Sequence, residues 1–133
     1  MYAIWKSPDK DALIGVVGHQ TCFLAWSKCA VYRITQHGKM IEKYPLHDEP
    51  RGAPTSASDE DAWLIATNTG FRNKNVSSSS TNIKELERIV CSVGSNYLLT
   101  DENIVNVETG EHEPHKMETP RGALFFKDAL VIW

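Results

Sequence analysis

Short apolar runs follow one another too closely in this chain for a helical crossover to fit between them, and that spacing limits the fold more than any other feature. Residues 12–17, 21–26, 30–35 and 39–44 each carry such a run, with three residues between consecutive runs. Parallel neighbours need a connection of about a dozen residues or more, so these runs predict antiparallel pairing through tight turns. Ser27-Lys28 and His37-Gly38 supply two of those turns. Gly15, inside the run at 12–17, marks a bulge or a close approach by another group. Further runs at 62–67, 97–100, 104–107, 122–126 and 129–133 extend the pattern to the end of the chain.

One segment reads differently. Ile83, Leu86, Val90 and Val93 recur at spacings of three and four, which places them on one helical stripe. Asn82 with Glu85 resembles a capping box, and Gly94 offers a left-handed stop. The spacing therefore predicts a helix over 82–93 covering a sheet. The expected fold class is α+β: a mostly antiparallel, curved sheet or partial barrel of about eight short strands with that one principal helix. Residues 1–133 read as a single domain, with long loops expected at 45–61, 68–81 and 108–120.

Charge and cysteine content narrow the setting. Fourteen basic against seventeen acidic residues give a net charge of −3, which disfavours binding driven by phosphate neutralisation. Cys22, Cys29 and Cys91 are odd in number and sparse, a pattern of reduced thiols rather than a disulfide framework. The N-terminus has neither a basic region nor an apolar stretch of the signal-peptide type, and no run reaches membrane-spanning length. The expectation is a cytoplasmic protein with no cofactor and no membrane partner.

Few residue groups suggest chemistry. Pro50-Arg51-Gly52-Ala53 recurs as Pro120-Arg121-Gly122-Ala123, and Arg51 and Arg121 are the candidate ligands for an anion, since a guanidinium presents a fork to phosphate or carboxylate. Flanking residues do not extend the match. His19, Cys22, Cys29 and His37 are weak candidates for a metal site, because they lack the paired-cysteine spacing of a zinc knuckle. Glu111-His112-Glu113-Pro114-His115 clusters acids and histidines, but proline between the histidines removes the helical geometry of a metalloprotease motif. Ser77 to Ser80 have no neighbouring histidine to orient a nucleophile. No catalytic residue is assigned.

The functional reading is therefore non-catalytic recognition of another protein, of the inhibitor, immunity or adaptor type. The expected partner surface joins the 45–61 and 68–81 loops. Asp59, Glu60 and Asp61 would provide a negative field, Arg72 and Lys74 a positive one, and Phe71 an exposed aromatic anchor. Trp63 is expected in the core. Terminal apolar strands at 2–6 and 129–133 suggest a homo-oligomer, and burial is expected for Trp133. A small anionic or nucleotide-like ligand on Arg51 and Arg121 is the alternative. Single-stranded nucleic acid gripped by Arg72, Lys74 and aromatic groups is third.

Overall fold

The computed structural model describes residues 5–8, 12–57, 61–75 and 87–133. Among them the chain forms thirteen strands and no helix, grouped in four antiparallel sheets. The first sheet contains β1 (Gly15–His19), β2 (Cys22–Trp26), β3 (Ala30–Thr35) and β4 (Met40–Pro45), and the second β5 (Pro50–Ser56), β6 (Trp63–Thr67) and β7 (Phe71–Asn73). The third holds β8 (Ile89–Val93), β9 (Tyr97–Thr100), β10 (Asn103–Asn106) and β11 (His112–Pro114), and the fourth β12 (Ala123–Phe126) and β13 (Ala129–Ile132). Every sheet is a meander in which chain neighbours pair, as the tight connections predict.

The architecture corrects the α+β expectation. Ile89 to Val93, assigned to the helix, form β8 and pair with β9; the earlier part of that segment, residues 82–86, lies outside the described residues. Two facts explain the difference. The register shifts between Ile89 and Cys91, so a bulge breaks the alternation that marks a strand. β8 is also apolar on both faces, and a continuous apolar run cannot be told from a buried helix by period alone. Gly94 does adopt a positive φ of 58°, but it ends a strand rather than a helix. The long loops are likewise shorter than expected, since β5, β7 and β11 lie within 45–61, 68–81 and 108–120. β5 carries no strand signal in the sequence, because its two prolines and its bulge between Arg51 and Thr55 leave no apolar alternation. The single curved sheet resolves into four separate sheets.

The sheets pack face to face in chain order. Leu24, Trp26, Val31 and Tyr44 of the first meet Trp63 and Ile65 of the second. Leu64, Ala66 and Phe71, on the opposite face of the second, meet Ile89, Leu98 and Val105 of the third. Val93, Leu99 and Ile104 then face Ala123, Leu130 and Ile132 of the fourth. On the far side of the first sheet, Trp5 and Leu13 cover Tyr32, with the Trp5 and Tyr32 rings 5.3 Å apart. The first strands of successive sheets run beside one another: β5 beside β1 and β8, and β8 beside β12.

Polar groups inside the stack are held in specific ways. Glu87 is buried, where its carboxylate accepts hydrogen bonds from the Thr100 hydroxyl and from Asn103 Nδ2, the latter at 2.6 Å. Thr100 Oγ1 also accepts from the Asn103 backbone N–H at 2.9 Å, which fixes the β9–β10 turn. Gly15 pairs with Trp26, and a Cβ there would come within 2.6 Å of the indole, so the glycine marks a close approach rather than a bulge.

Two substitutions test this packing. Gly15→Ala should cost about 1–3 kcal/mol of unfolding free energy, because Trp26 must leave its place in the first interface. Phe71→Ala should cost about 3–5 kcal/mol, since its ring is 6% exposed within the second interface. Urea titration of each variant measures both; a loss under half a kcal/mol at either site would contradict the packing described.

Candidate functional site

All four first-to-second-strand connections gather on one rim. Each of β1, β5, β8 and β12 runs toward it, and side chains link the connections in sequence. In the first, His19 is buried, with Nδ1 3.2 Å from Ser56 Oγ and Nε2 2.9 Å from the Asp61 carbonyl, which ties the β1–β2 turn to the β5–β6 loop. Thr55, at the end of β5, donates to the Gly94 carbonyl at 2.7 Å and lies 2.8 Å from Ser92 Oγ, so the β8–β9 turn is anchored to the same loop. Gly94 in turn sits against Phe125 of β12, whose ring meets Tyr97 edge-on at 5.6 Å.

Asp61 is the hub of this rim. Its carboxylate receives Arg33 Nη2 and Lys74 Nζ, each at 2.9 Å. The Lys74 hydrogen bond, with the Arg33 charge, holds its pKa below the usual aspartate value. The Ser56–His19–Asp61 sequence of contacts superficially resembles a catalytic triad. Here, however, the imidazole donates to a backbone carbonyl, while the Asp61 carboxylate stands 3.7 Å away and is engaged by two cations. A carboxylate so neutralised gives little support to an imidazolium, so the arrangement fastens the loop. The sequence suggests His19 only as a weak metal ligand and gives no sign of Ser56, since the two are 37 residues apart and only the stacking of sheets joins them.

Two adjoining depressions open on the rim. The larger, about 630 Å³, is walled by Tyr97, Leu124 and Phe125, with Thr55, Asn96 and Lys127 supplying polar groups. The smaller, about 310 Å³, is lined by Asp61, Trp63, Lys74 and Glu108, among others. Ser95 and Asn96 belong to both, so the two form one continuous surface.

The residues expected to bind a partner are divided by this geometry. Asp61 and Lys74 lie on the rim, but as an ion pair rather than as opposing fields. They meet because β6 and β7 form a hairpin, with Leu64 opposite Asn73, so the segments flanking that hairpin start at the same end. Phe71 is buried between the second and third sheets, which corrects its assignment as an exposed anchor. Arg72 is buried too, beneath the Tyr44 ring at 5.5 Å, and burial lowers its pKa. Asp59 and Glu60 lie outside the described residues. Trp63 is core, as expected, whereas Trp133 is 53% exposed against the expectation of burial.

Arg51 and Arg121 are exposed at the opposite ends of the first strands, away from the rim and on the two sides of β8. The repeated tetrapeptide acquires a structural meaning there. The first copy opens β5 and the second leads into β12, each the first strand of its sheet, and Ala53 and Ala123 both pack into the interface with the preceding sheet. The metal candidates do not form a set. Cys29 lies in the turn at the end of β2 opposite Cys22, while His19 is occupied by Ser56 and Asp61. Among the described residues no three His, Cys, Asp or Glu side chains converge on a point. In the acidic–histidine segment, His115 Nε2 is 2.8 Å from the Thr100 carbonyl, a contact within the third sheet. No helix of the described residues is long and apolar enough to cross a membrane.

The low pKa of Asp61 gives a signed prediction. A carboxylate whose folded pKa lies below its unfolded value stabilises the fold above the unfolded pKa, about 3.9, and loses that contribution as pH falls through the folded value. Wild type should therefore exceed Asp61→Asn in stability at pH 7 by no more than about 1 kcal/mol, because the carboxylate is half-exposed. The two should converge near pH 2, and the gap at pH 7 should shrink in high salt. Thermal midpoints measured from pH 2 to 7 check this, and a constant gap across the range would contradict it.

Comparison of the chain with protein-family models, curated proteins and solved structures finds no match.

Proposed function

We propose that this protein is a non-catalytic recognition module that binds a segment of another protein across the rim. The observation that carries this reading is the pair of joined depressions, one walled by aromatic and aliphatic groups and the other by charged and amide groups. Their volumes, about 630 and 310 Å³, have room for several side chains of an extended peptide, apolar in the first and polar in the second. Tyr97 and Phe125 provide rigid rings for the first, and burial of a few aromatic contacts supplies most of the affinity in such interfaces. Ser95 and Asn96, shared by the two depressions, provide hydrogen-bonding groups between them.

The turns that build the rim are braced from behind by His19, Thr55 and Ser92, so the surface is preformed. Preformed surfaces bind with a smaller ordering cost than loops that must fold first. This reading moves the partner surface from Phe71 and Arg72 to Tyr97, Phe125 and Asn96, while keeping Asp61 and Lys74 at its edge. The anion alternative rests on Arg51 and Arg121, which lie at the far end of the first strands from both depressions.

Selection from a displayed library of random peptides tests the proposal. Peptides enriched on the wild-type protein should carry an apolar residue and should bind Phe125→Ser or Asn96→Ala at least tenfold more weakly, about 1.4 kcal/mol. Their binding to Arg51→Ala should be unchanged. Enrichment of no peptide, or of peptides indifferent to Phe125 and Asn96, would remove the rim as the binding surface.

A further inference from the structure

We propose that the free faces of the first and fourth sheets are the two halves of one interface, joined head to tail between two copies of this chain. Apolar surface remains exposed on both of these faces. Val16, Phe23 and Met40 in the first sheet, and Leu124, Phe126 and Val131 in the fourth, are 38% to 64% exposed. Among the described residues, no large apolar side chain of the second or third sheet is exposed in this way.

Strand register places each trio on one face. Val16 lies opposite Ala25, while Phe23 lies opposite Ile34, which in turn faces Met40. Ala25 and Ile34 belong to the cluster on the side of the first sheet away from the second. In the fourth sheet Leu124 pairs with Val131 and Phe126 with Ala129, while Ala123 and Ile132, next in register, face the third sheet. Each trio therefore lies on the outward face of an end of the stack. Trp5 and Leu13 cover part of the first face, around Tyr32, and leave the three named residues exposed.

The chain already uses the missing contact three times. Each internal interface packs the rear face of one sheet on the forward face of the next, and the free faces are one of each kind. Contact between them continues the same stacking; because successive sheets approach one another closely at their first strands, they fan about that side, and a pair of copies then satisfies both free faces of both chains at once. Such heterologous contacts give a closed ring when the rotation returns to its start. The fourth sheet has particular need of cover, because it has two strands, and a two-stranded ribbon is marginal without packing on its faces. Stacking of a fourth sheet on its own copy would leave the first sheet's face bare.

Light scattering of the full chain at tens of micromolar should give twice the single-chain mass. A tail variant, Phe126→Lys with Val131→Lys, and a head variant, Val16→Lys with Phe23→Lys, should each give the single-chain mass. Mixed in equal amounts, the two should recover a two-chain species, because the mixture contains one intact contact, between the sound tail of one and the sound head of the other. Recovery also shows that both variants are folded. Wild type at single-chain mass, a head variant that still pairs, or a mixture of folded variants that stays monomeric would each overturn the proposal.

Discussion

The burial of β6 on both faces is the constraint on which the rest of the structure depends. All five of its residues are buried, with Trp63 and Ile65 turned toward the first sheet and Leu64 and Ala66 toward the third. A strand whose residues alternate between two cores is built at least cost from uncharged side chains on both faces, and Trp-Leu-Ile-Ala supplies them. The neighbouring β7 repeats the division at smaller scale: Phe71 enters the interface with the third sheet, and Arg72 enters the one with the first, beneath Tyr44. Tyr44 is fixed in turn by Trp63 at 4.9 Å and by its hydroxyl donating to Glu42 at 3.0 Å. An arginine so placed keeps its charge over a ring face, a favourable electrostatic arrangement in a poorly solvated site.

From that double interface the rim follows. Because β6 and β7 return the chain to the end where it entered, Asp61 and Lys74 come together, and stacking of the first sheet adds Arg33 and His19. Stacking of the third sheet adds the β8–β9 turn through Thr55. The surface with the best shape for recognition is thus made of groups from the second, third and fourth sheets; hydrogen bonds join the first three connections, and the Tyr97–Phe125 ring contact joins the fourth. Its depressions exist because the turns are short and the sheets diverge beside them.

The stack also has the logic of a repeat architecture, in which each unit buries its faces only against its neighbours. The repeated tetrapeptide occupies matching places in the second and fourth sheets, with Ala53 and Ala123 small enough for the first strand to lie close to the sheet before it. In such folds end units differ from internal ones, and here the apolar surface left at the two ends sets them apart.

By itself the sequence determined the local pairing. Runs such as Cys22–Trp26 and Ala30–Thr35 lie too close together for anything but antiparallel neighbours, and their turns require no tertiary help. The core place of Trp63 and the terminal hairpin of β12 and β13 were legible for the same reason, residue size and spacing acting locally, and Gly15 was marked as a bulge or a close approach, between which the packing of Trp26 decided. Tertiary structure decided what needed a partner sheet. Ile89–Val93 became a strand because both its faces found sheets to pack on, whereas period alone fits a buried helix equally well. Phe71, set among polar residues, was drawn inward by the third sheet, and Arg72 followed because the next residue of a strand must face the other way. Of the rim the sequence pointed to Asp61 and Lys74 alone; the rest was not legible, since His19, Ser56 and Asn96 are distant from them in the chain and the order in which the sheets stack is what brings these side chains together.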